Sequence, residues 1–534
     1  MSYLHFVASE ETVETIPMAA RRPPRAVFMA FGTNGDVHPL VAVAAALASD
    51  QCQYQVVIIT HAAHENLIVN LATQNVSLIP ISTPPVISGI KDHWKSGTVE
   101  SSSRENFIGK EHRKKCLTAM QKVFGDGPTT DGDFVVINFF ALEGWHLAEF
   151  FRVRCVVAAP YVVPYSAPSS FEHRFETELP LLYSYLQEAP VGKVCWKDVI
   201  HWMWPLFTEE WGSWRSEFLS LSPCPFTDPV TGLPMWHDRE QSPLLLYGFS
   251  KEVVECPAYW PPSVHVCGFW FLPLEWQFEC YKCRELSAAY RSTQLDKKDG
   301  LCVAHAGLQH FLEISGSDSW SPIFIGLSSS GSMGFLQNPQ AFLRVIRGVL
   351  ENTDYRVLLF TANYEPLIDA IQAINTETFG FQQSTKSSCN DGTLLFGGRL
   401  FCFSGTVQYR WLFQRCQVVV HHGGSGSTAA ALYAGTPQIV CPFILDQFYW
   451  AEKMTWLGVA PPPLKRSELL PDGDDEASIQ NAAISLSNAI KEALSPEVRA
   501  RAFELAARIS AEDGIGEALK VLKQHIIFQS KHEE

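Results

Sequence analysis

The sequence predicts an α/β protein made of two parallel-sheet domains in tandem, and three observations carry that prediction. Short apolar runs recur in two separate series, each run followed by a helix-like or polar stretch. At 534 residues the chain is too long for one compact core, because single cores stop growing beyond roughly 250–300 residues. Between Val418 and Trp450 the segment VVVHHGGSGSTAAALYAGTPQIVCPFILDQFYW passes from β-branched residues through a Gly/Ser cluster to an alanine run. That is the order of strand, tight loop and helix N-terminus.

The first series comprises AVFMAF (26–31), QVVIIT (55–60), SLIPI (77–81), DFVVINFF (133–140) and CVVAAP (155–160). Continuous apolar runs of this length suit parallel strands covered on both faces. The aromatic stretch WPLFTEEWGSWRSEF (204–218) is roughly helical and is a candidate wall for an apolar pocket, with core packing an equally good reading. After CPAYWPPSVHVCGFWFLP (256–273) a second series begins: PIFIGLSSS (322–330), YRVLLFTA (355–362), LFCFSG (400–405), QVVVHH (417–422) and PQIVCP (437–442). Each precedes a helix-like stretch such as PQAFLRVIRGVLEN (339–352). Residues 274–318 are polar and irregular, as in a linker or inserted loop. The expected organisation is a tail over 1–25, a first domain over 26–272, a linker or insert over 273–319, a second domain over 320–490 and C-terminal helices over 491–534.

Asp and Glu number 56 against 41 Lys and Arg, a net charge of −15 with no basic block, which excludes a nucleic-acid partner. The first 25 residues carry the acidic SEETVET, and nowhere do about 18 uncharged apolar residues run together; a soluble, cytoplasmic protein is expected. Fourteen cysteines lie mostly in apolar segments such as RCVVAAP and QIVCPF, as reduced, buried thiols do. CYKC (Cys280, Cys283) and CVAH (Cys302, His305) have the spacing of a four-ligand zinc site. The helical periodicity of LCVAHAGLQHFLEI and the abundance of cysteine favour ordinary buried thiols, so no metal is assigned.

Residues 423–428 leave a strand and enter the helix STAAALYA, for which Gly435 is a C-terminal stop. A helix N-terminus presents unpaired N–H groups and about half a positive charge, so a phosphate is its natural ligand. Gly423, Gly424 and Gly426 permit close approach, Ser425, Ser427 and Thr428 add hydroxyls, and His422 ends the strand. Further on, Asp446 and Gln447 precede Phe448, Tyr449 and Trp450. Bidentate polar groups beside an apolar face suit a polyol. A phosphate cradle with a polyol clamp implies a nucleotide sugar.

The segment VVVHHGGSGSTAAALYAGTPQIVCPFILDQFYWAEK resembles the donor-binding signature of the UDP-glycosyltransferases, specifically the sterol 3β-glucosyltransferase branch. FMAFGTNGDVHPLVAVAAAL resembles that branch's N-terminal loop, AYWPPSVHVCGFWFLP its interdomain segment and PIFIGLSSSGSMG its first C-domain strand and loop. The resemblance covers most of residues 26–272 and 320–470. It implies the glycosyltransferase-B fold, two Rossmann-like domains facing a cleft, with ligands at the carboxyl ends of the strands. It places His422, Ser425, Gly426 and Ser427 on the diphosphate and Asp446 with Gln447 on the sugar hydroxyls, with Gly424 in the same donor-binding site. Ser329, Gly331 and Ser332 are expected to line the donor cleft, with Val407 and Trp411 in the segment beside the uracil. The chain departs from the family at Gln408, Tyr409 and Arg410, where sterol enzymes commonly carry Pro-His-Asp, and at Leu445, where a glycine is usual.

Transfer to an alcohol needs a group that accepts the hydroxyl proton, and Asp36 in GDVHPL matches the family position of that base. The competing role for Asp36 is a cap for a helix beginning at Pro39, and His38 is the competing base. DGD (131–133) and DGDDE (472–476) are read as solvated loops, His146 of EGWHLAEFF as a core or surface histidine, and KEHRKK (110–115) as a solvated face, with contact to an acceptor-bearing membrane as its alternative. The expected function is inverting, metal-independent transfer of a hexose, glucose foremost, from a UDP-sugar to a hydroxyl of a lipophilic acceptor such as a sterol, with no cofactor. The alternatives are a terpenoid, flavonoid or other phenolic acceptor, and a non-catalytic nucleotide-sugar-binding protein.

Overall fold

The computed structural model describes residues 22–83, 99–125, 132–161, 167–207, 209–235, 241–257, 260–278, 280–286, 301–313, 321–328, 331, 333–379, 388–389, 391–405 and 407–527. Two seven-stranded sheets organise them. The first joins β1 (Arg25–Met29), β2 (Gln55–His61), β3 (Val76–Ile81), β4 (Phe134–Ile137), β5 (Arg154–Ala159), β6 (Leu245–Tyr247) and β7 (Val264–Val266) in the order β3-β2-β1-β4-β5-β6-β7. Every pairing in it is parallel. Five of these strands fall on the apolar runs. The three-residue β6 and β7 are too short to show a periodicity of their own.

The second sheet joins β8 (Ile323–Gly326), β9 (Val357–Phe360), β10 (Ser388–Cys389), β11 (Gly392–Leu395), β12 (Leu400–Phe403), β13 (Val418–His421) and β14 (Gln438–Val440) in the order β10-β11-β12-β9-β8-β13-β14. An antiparallel β10-β11-β12 meander forms one edge of this sheet. The remaining order, β12-β9-β8-β13-β14, repeats the β3-β2-β1-β4-β5 order of the first sheet. In each sheet the winding reverses beside the central strand, between β1 and β4 and between β8 and β13. Loops leaving the carboxyl ends of those strands diverge there and open a crevice, which is where such sheets bind ligands.

The helix Asn34–Asp50 begins earlier than Pro39, the start expected from sequence. Thr33 takes the N-cap and Asp36 the third helical position, a reciprocal capping box that starts the helix five residues before the proline. Alanines and valines bury most of its length against the first sheet. The chain then crosses between domains twice. Glu476–Ala493 packs on the second sheet through Ile479, Leu486 and Ile490, whereas Gly514–Leu522 returns to the first, its Ala518 and Leu522 joining the core of Val41 and Leu47. Trp270 Nε1 donates to Gly514 O at 3.1 Å, and Arg508 pairs with Glu252 at 3.2 Å.

Within residues 274–313, the described residues are 274–278, 280–286 and 301–313. They hold a 3-10 turn (Leu274–Gln277), a helical turn over 281–286 and the helix Ala306–Glu313. Phe278, Leu308 and Phe311 join the core beneath β12, with the Arg356 guanidinium 4.0 Å above the Phe311 ring. Among the described residues no helix is long and apolar enough to cross a membrane.

Candidate active site

The crevice between the two sheets is a cavity of about 660 Å³ lined from both domains, within the usual size of small-molecule sites. On the first domain its floor is the turn after β1. Gly32 adopts φ +111°, and a β-carbon there would lie 2.6 Å from the Asp36 carboxylate, so only glycine lets the turn close over that side chain. Asp36 Oδ2 accepts from the Thr33 amide at 2.7 Å and the Thr33 hydroxyl at 2.8 Å. Desolvation at the bottom of the cleft pushes the carboxyl up to about 6, against those two bonds. Asp36 is thus both the cap partner and a cleft-facing carboxylate, and the two roles are compatible because one oxygen serves the cap.

Asn138, at the end of β4, ties this turn in place. Its amide donates to Phe31 O at 2.7 Å, and its carbonyl accepts from the amides of Phe31 at 3.3 Å and Phe140 at 3.2 Å. Nothing in the sequence singles out Asn138, because one asparagine in VVINFF carries no pattern. His38 also lines the cleft, 6.0 Å from the ring of His64, whose Nε2 lies 3.2 Å from Gly32 O. Burial, and then the neighbouring His64, hold His38 down to about 3. It is therefore a neutral imidazole at neutral pH and a weak competitor for the role of base.

Opposite this floor stands the helix Ser425–Ala434. A β-carbon at Gly426 would lie 3.7 Å from Gly35 Cα, so two helix N-termini, one from each domain, meet nearly tip to tip. Both present unpaired N–H groups to the same space. His422 is buried, and burial followed by the His421 charge holds it down to about 3, so it offers an N–H donor rather than a cation. His421 plays a separate, structural part. Its Nδ1 accepts from the Gly423 amide at 3.0 Å, which leaves Nε2 to donate to Gln438 Oε1 at 2.8 Å. Any side chain at Gly424 would collide with the His422 ring.

Asp446 and Gln447 stand at the start of the helix Gln447–Trp456. Asp446 Oδ2 accepts from the Trp450 indole at 3.0 Å. Burial first, and then the charge of Asp36, raise this carboxyl to about 7, so the two carboxylates sense each other across the cleft. Gln447 accepts from the amides of Phe443 at 2.9 Å and Ile444 at 3.1 Å. Both lone pairs of its carbonyl are used, leaving the –NH₂ side for a ligand. Leu445 has φ +53°, the left-handed region that favours the glycine usual in the resembling family.

Of the remaining candidates, Ser425, Ser427 and Val407 also line the cleft. Trp411 does not, and its indole is covered by the Arg415 guanidinium at 4.1 Å. Gly331 is not in the lining either; a β-carbon there would meet the Tyr364 ring at 3.0 Å. Ser329 and Ser332 lie outside the described residues. The divergent Tyr409 and Arg410 build a packing of their own. Tyr409 stacks on Phe413 at 4.8 Å between ring centres, and Arg410 lies 4.4 Å from Phe271 and 4.8 Å from Tyr433.

The first-domain side of the cavity is aromatic: Phe139, Phe140, Tyr161, Trp202 and Trp204 line it. Of the described residues in 204–218, Trp204 and Pro205 take part. Trp211 and Trp214 cover His146 instead, whose Nδ1 meets the Arg215 guanidinium at 2.9 Å, making it a core histidine. Two expectations of solvation hold only in part, because some of the residues find a buried partner, while Lys110 and Lys114 remain exposed. In KEHRKK, His112 turns inward to Thr83 at 2.7 Å and Arg113 lies over Trp211 at 4.3 Å. In DGD, Asp133 is buried and pairs with Arg22 at 2.6 Å.

The chain is similar to known proteins along nearly its whole length. Residues 403–510 match the family described as Erythromycin biosynthesis protein CIII-like, C-terminal domain. Sterol 3-beta-glucosyltransferase UGT80A2 of Arabidopsis thaliana is 25% identical over 97% of this chain and 68% of its own length. The sterol 3-beta-glucosyltransferase of Komagataella phaffii is 23% identical over 98% of this chain, which spans only 36% of that protein. Among solved structures, the calicheamicin glycosyltransferase CalG4 superposes with a TM-score of 0.55 at 13% identity, covering 95% of this chain and 100% of that one. A UDP-glucosyltransferase from Polygonum tinctorium gives 0.53 at 13% identity, over 94% and 98%. With its paired sheets and shared crevice, the chain has the glycosyltransferase-B fold, and over nearly its whole length it is similar to sterol 3-beta-glucosyltransferases.

Proposed function

We propose that the protein transfers a hexose, glucose foremost, from a UDP-sugar to a hydroxyl of a bulky apolar acceptor such as a sterol, with inversion at the anomeric carbon. The observation that carries this reading is the meeting of the Asn34–Asp50 and Ser425–Ala434 N-termini over a cavity that holds Asp36 on one side and Asp446 on the other. In this reading the diphosphate lies on the amides and hydroxyls of Ser425 and Ser427, with His422 donating an N–H. Asp446 and the Gln447 –NH₂ hold sugar hydroxyls, and the aromatic first-domain wall holds the acceptor.

Asp36 takes the proton of the acceptor hydroxyl as its oxygen attacks the anomeric carbon from the face opposite the diphosphate. The bond from that carbon to the phosphate oxygen breaks, and the electron pair leaves with the diphosphate. Helix N–H groups already aimed at that position stabilise the departing charge without reorganisation, so no Mg²⁺ or Mn²⁺ is required. One displacement from an α-linked donor gives a β-glycoside.

The test is incubation of the full chain with UDP-glucose, UDP-galactose and UDP-xylose against sterols, terpenoid alcohols and flavonoids, with and without added Mg²⁺, reading glycoside mass. A metal-insensitive adduct whose anomeric proton shows β configuration is the expected result. Binding of UDP-sugars with no transfer to any acceptor would overturn the catalytic reading in favour of a binding protein.

A further inference from the structure

Away from the reacting groups, four side chains converge that the transfer has no use for. Cys280 Sγ lies 3.5 Å from Cys302 Sγ, Cys283 Sγ 3.3 Å from His305 Nδ1, and Cys302 Sγ 3.5 Å from the same nitrogen. All four ligand atoms fall within 4.8 Å of one another, and among the described residues no other group of three or more His, Cys, Asp or Glu does so. In a tetrahedral zinc site, with Zn–S about 2.3 Å and Zn–N about 2.0–2.1 Å, the edges are about 3.8 Å between sulfurs and about 3.5 Å between sulfur and nitrogen. The three closest separations match those edges to within a few tenths of an ångström. The widest leaves about an ångström for small rotations of the side chains to take up.

Local structure explains the convergence. The Arg284 amide bonds to Cys280 O at 3.0 Å and the His305 amide to Cys302 O at 2.8 Å. Each turn thereby brings its two ligands, three residues apart, to one side. Cys283 and Cys302 are buried, and the Cys302 amide points at Cys283 Sγ from 3.4 Å, a contact that favours a thiolate. Three sulfurs and one imidazole at these separations suit zinc, and four protein ligands leave no open position for a substrate, the arrangement of a structural site.

We propose that Cys280, Cys283, Cys302 and His305 bind one structural Zn²⁺ that fastens the interdomain segment to the second domain. The three thiols release their protons to solvent on binding, and His305 ligates as neutral imidazole through Nδ1. The site sits on the core that contains Phe403 and Val407, with the His305 ring 5.9 Å from Phe403. Its reach extends to the cleft, because Phe278 and Arg284, next to the first ligand pair, both line the cavity. Arg284 Nη2 donates to Phe278 O at 3.0 Å, and Nη1 lies 3.5 Å from Asn70 Oδ1 of the first domain. The metal therefore positions a cationic side chain where the two domains face each other. That last consequence rests on the transferase reading; the metal assignment does not.

The test uses full-length protein prepared under reducing conditions from zinc-supplemented cells. Elemental analysis is expected to give one zinc per chain in the wild type, with stoichiometric zinc lost in Cys283→Ser and His305→Ala and retained in Cys267→Ser, a buried thiol elsewhere. Replacement by Co²⁺ is expected to produce thiolate-to-cobalt charge transfer and the intense d–d bands of a tetrahedral site, a readout on wild-type protein that is independent of whether the variants fold. Chelation is expected to lower Tm, with recovery on adding zinc, and to raise KM for the donor more than it lowers kcat. Wild-type protein without stoichiometric metal and without a cobalt spectrum overturns the proposal, as does recovery of a Cys280–Cys302 disulfide from the native protein.

Discussion

Asp36→Asn separates the cap that the fold gives this side chain from the base proposed for it. An asparagine carbonyl can still accept from the Thr33 amide and hydroxyl, now 2.7 and 2.8 Å from Asp36 Oδ2, so the cap survives while the base is lost. Removal of a general base costs about 10²–10⁴-fold in kcat, or about 3–5 kcal/mol of barrier. Stability should move the other way. The raised pKa, from 3.8 to about 6, means that the fold disfavours the ionised form. The contribution of Asp36 to stability is thus fully present below about pH 4 and is lost as pH rises through about 6. Neutral asparagine escapes that loss, a gain on the order of 1–3 kcal/mol above pH 6, discounted for the open cleft. The assay is a pH profile of kcat/KM for both proteins together with a melting curve at pH 7.5. The wild type is expected to lose activity tenfold per unit below about pH 6. In the variant that inflection disappears and the Asp446 value falls, since the Asp36 charge helps to raise it. A variant with kcat within about threefold of wild type, an unchanged profile and an unchanged Tm would leave Asp36 only its cap.

Three further outcomes follow from the same geometry. Leu445→Gly relieves a left-handed residue at φ +53°, a strain of about 1–2 kcal/mol partly offset by the entropy of glycine; Tm is expected to rise on the order of 1 °C by scanning fluorimetry, and a fall would mean that the side chain packs more than it strains. Gly424→Ala drives a methyl into His422 and is expected to weaken UDP-sugar binding at least tenfold by calorimetry while the circular dichroism is unchanged; unaltered binding would remove His422 from the site. Burial holds His38 and His422 down to about 3 and His61, His112 and His421 down to about 4. These folded values lie below the unfolded 6.5, so the stability they contribute is present above pH 6.5 and is lost as pH falls toward 4. Tm is expected to drop across that window despite the opposing contributions of Asp36 and Asp446; a rise would refute the burial of these rings as neutral groups.

Much of the architecture was legible because it depends on local composition. Continuous apolar runs such as QVVIIT and QVVVHH can be satisfied only by burial on both faces, which places β2 and β13 without reference to the rest of the chain. The Gly/Ser-to-alanine transition at residues 423–434 likewise announces its own loop and helix. Solvation was not legible in the same way, because burial depends on partners distant in sequence. Asp133 lies in a turn-like DGD and is nonetheless buried by Arg22, 111 residues away. Trp411 stands four residues after Val407, on the helix Tyr409–Phe413, and is carried out of the cleft, under Arg415.

Local sequence was enough for β1–β5, β8, β9 and β12–β14, the Gly-rich turn facing a helix N-terminus, and the residue types of a nucleotide-sugar site, since each is written in a short window whose backbone has few alternatives. Three features waited on the folded chain: Asp36 caps a helix and faces the cleft with the same carboxyl group, Asn138 holds that turn, and burial keeps the His38 and His422 rings neutral. Folding also settles where Cys280, Cys283, Cys302 and His305 lie. Two pairs, each with three-residue spacing and with Cys283 and Cys302 lying 19 residues apart, become one cluster only when the core beneath β12 brings both turns to the same place. Distance in space between side chains remote in sequence sets hydrogen bonding, pKa and ligand geometry alike, and no local pattern encodes it.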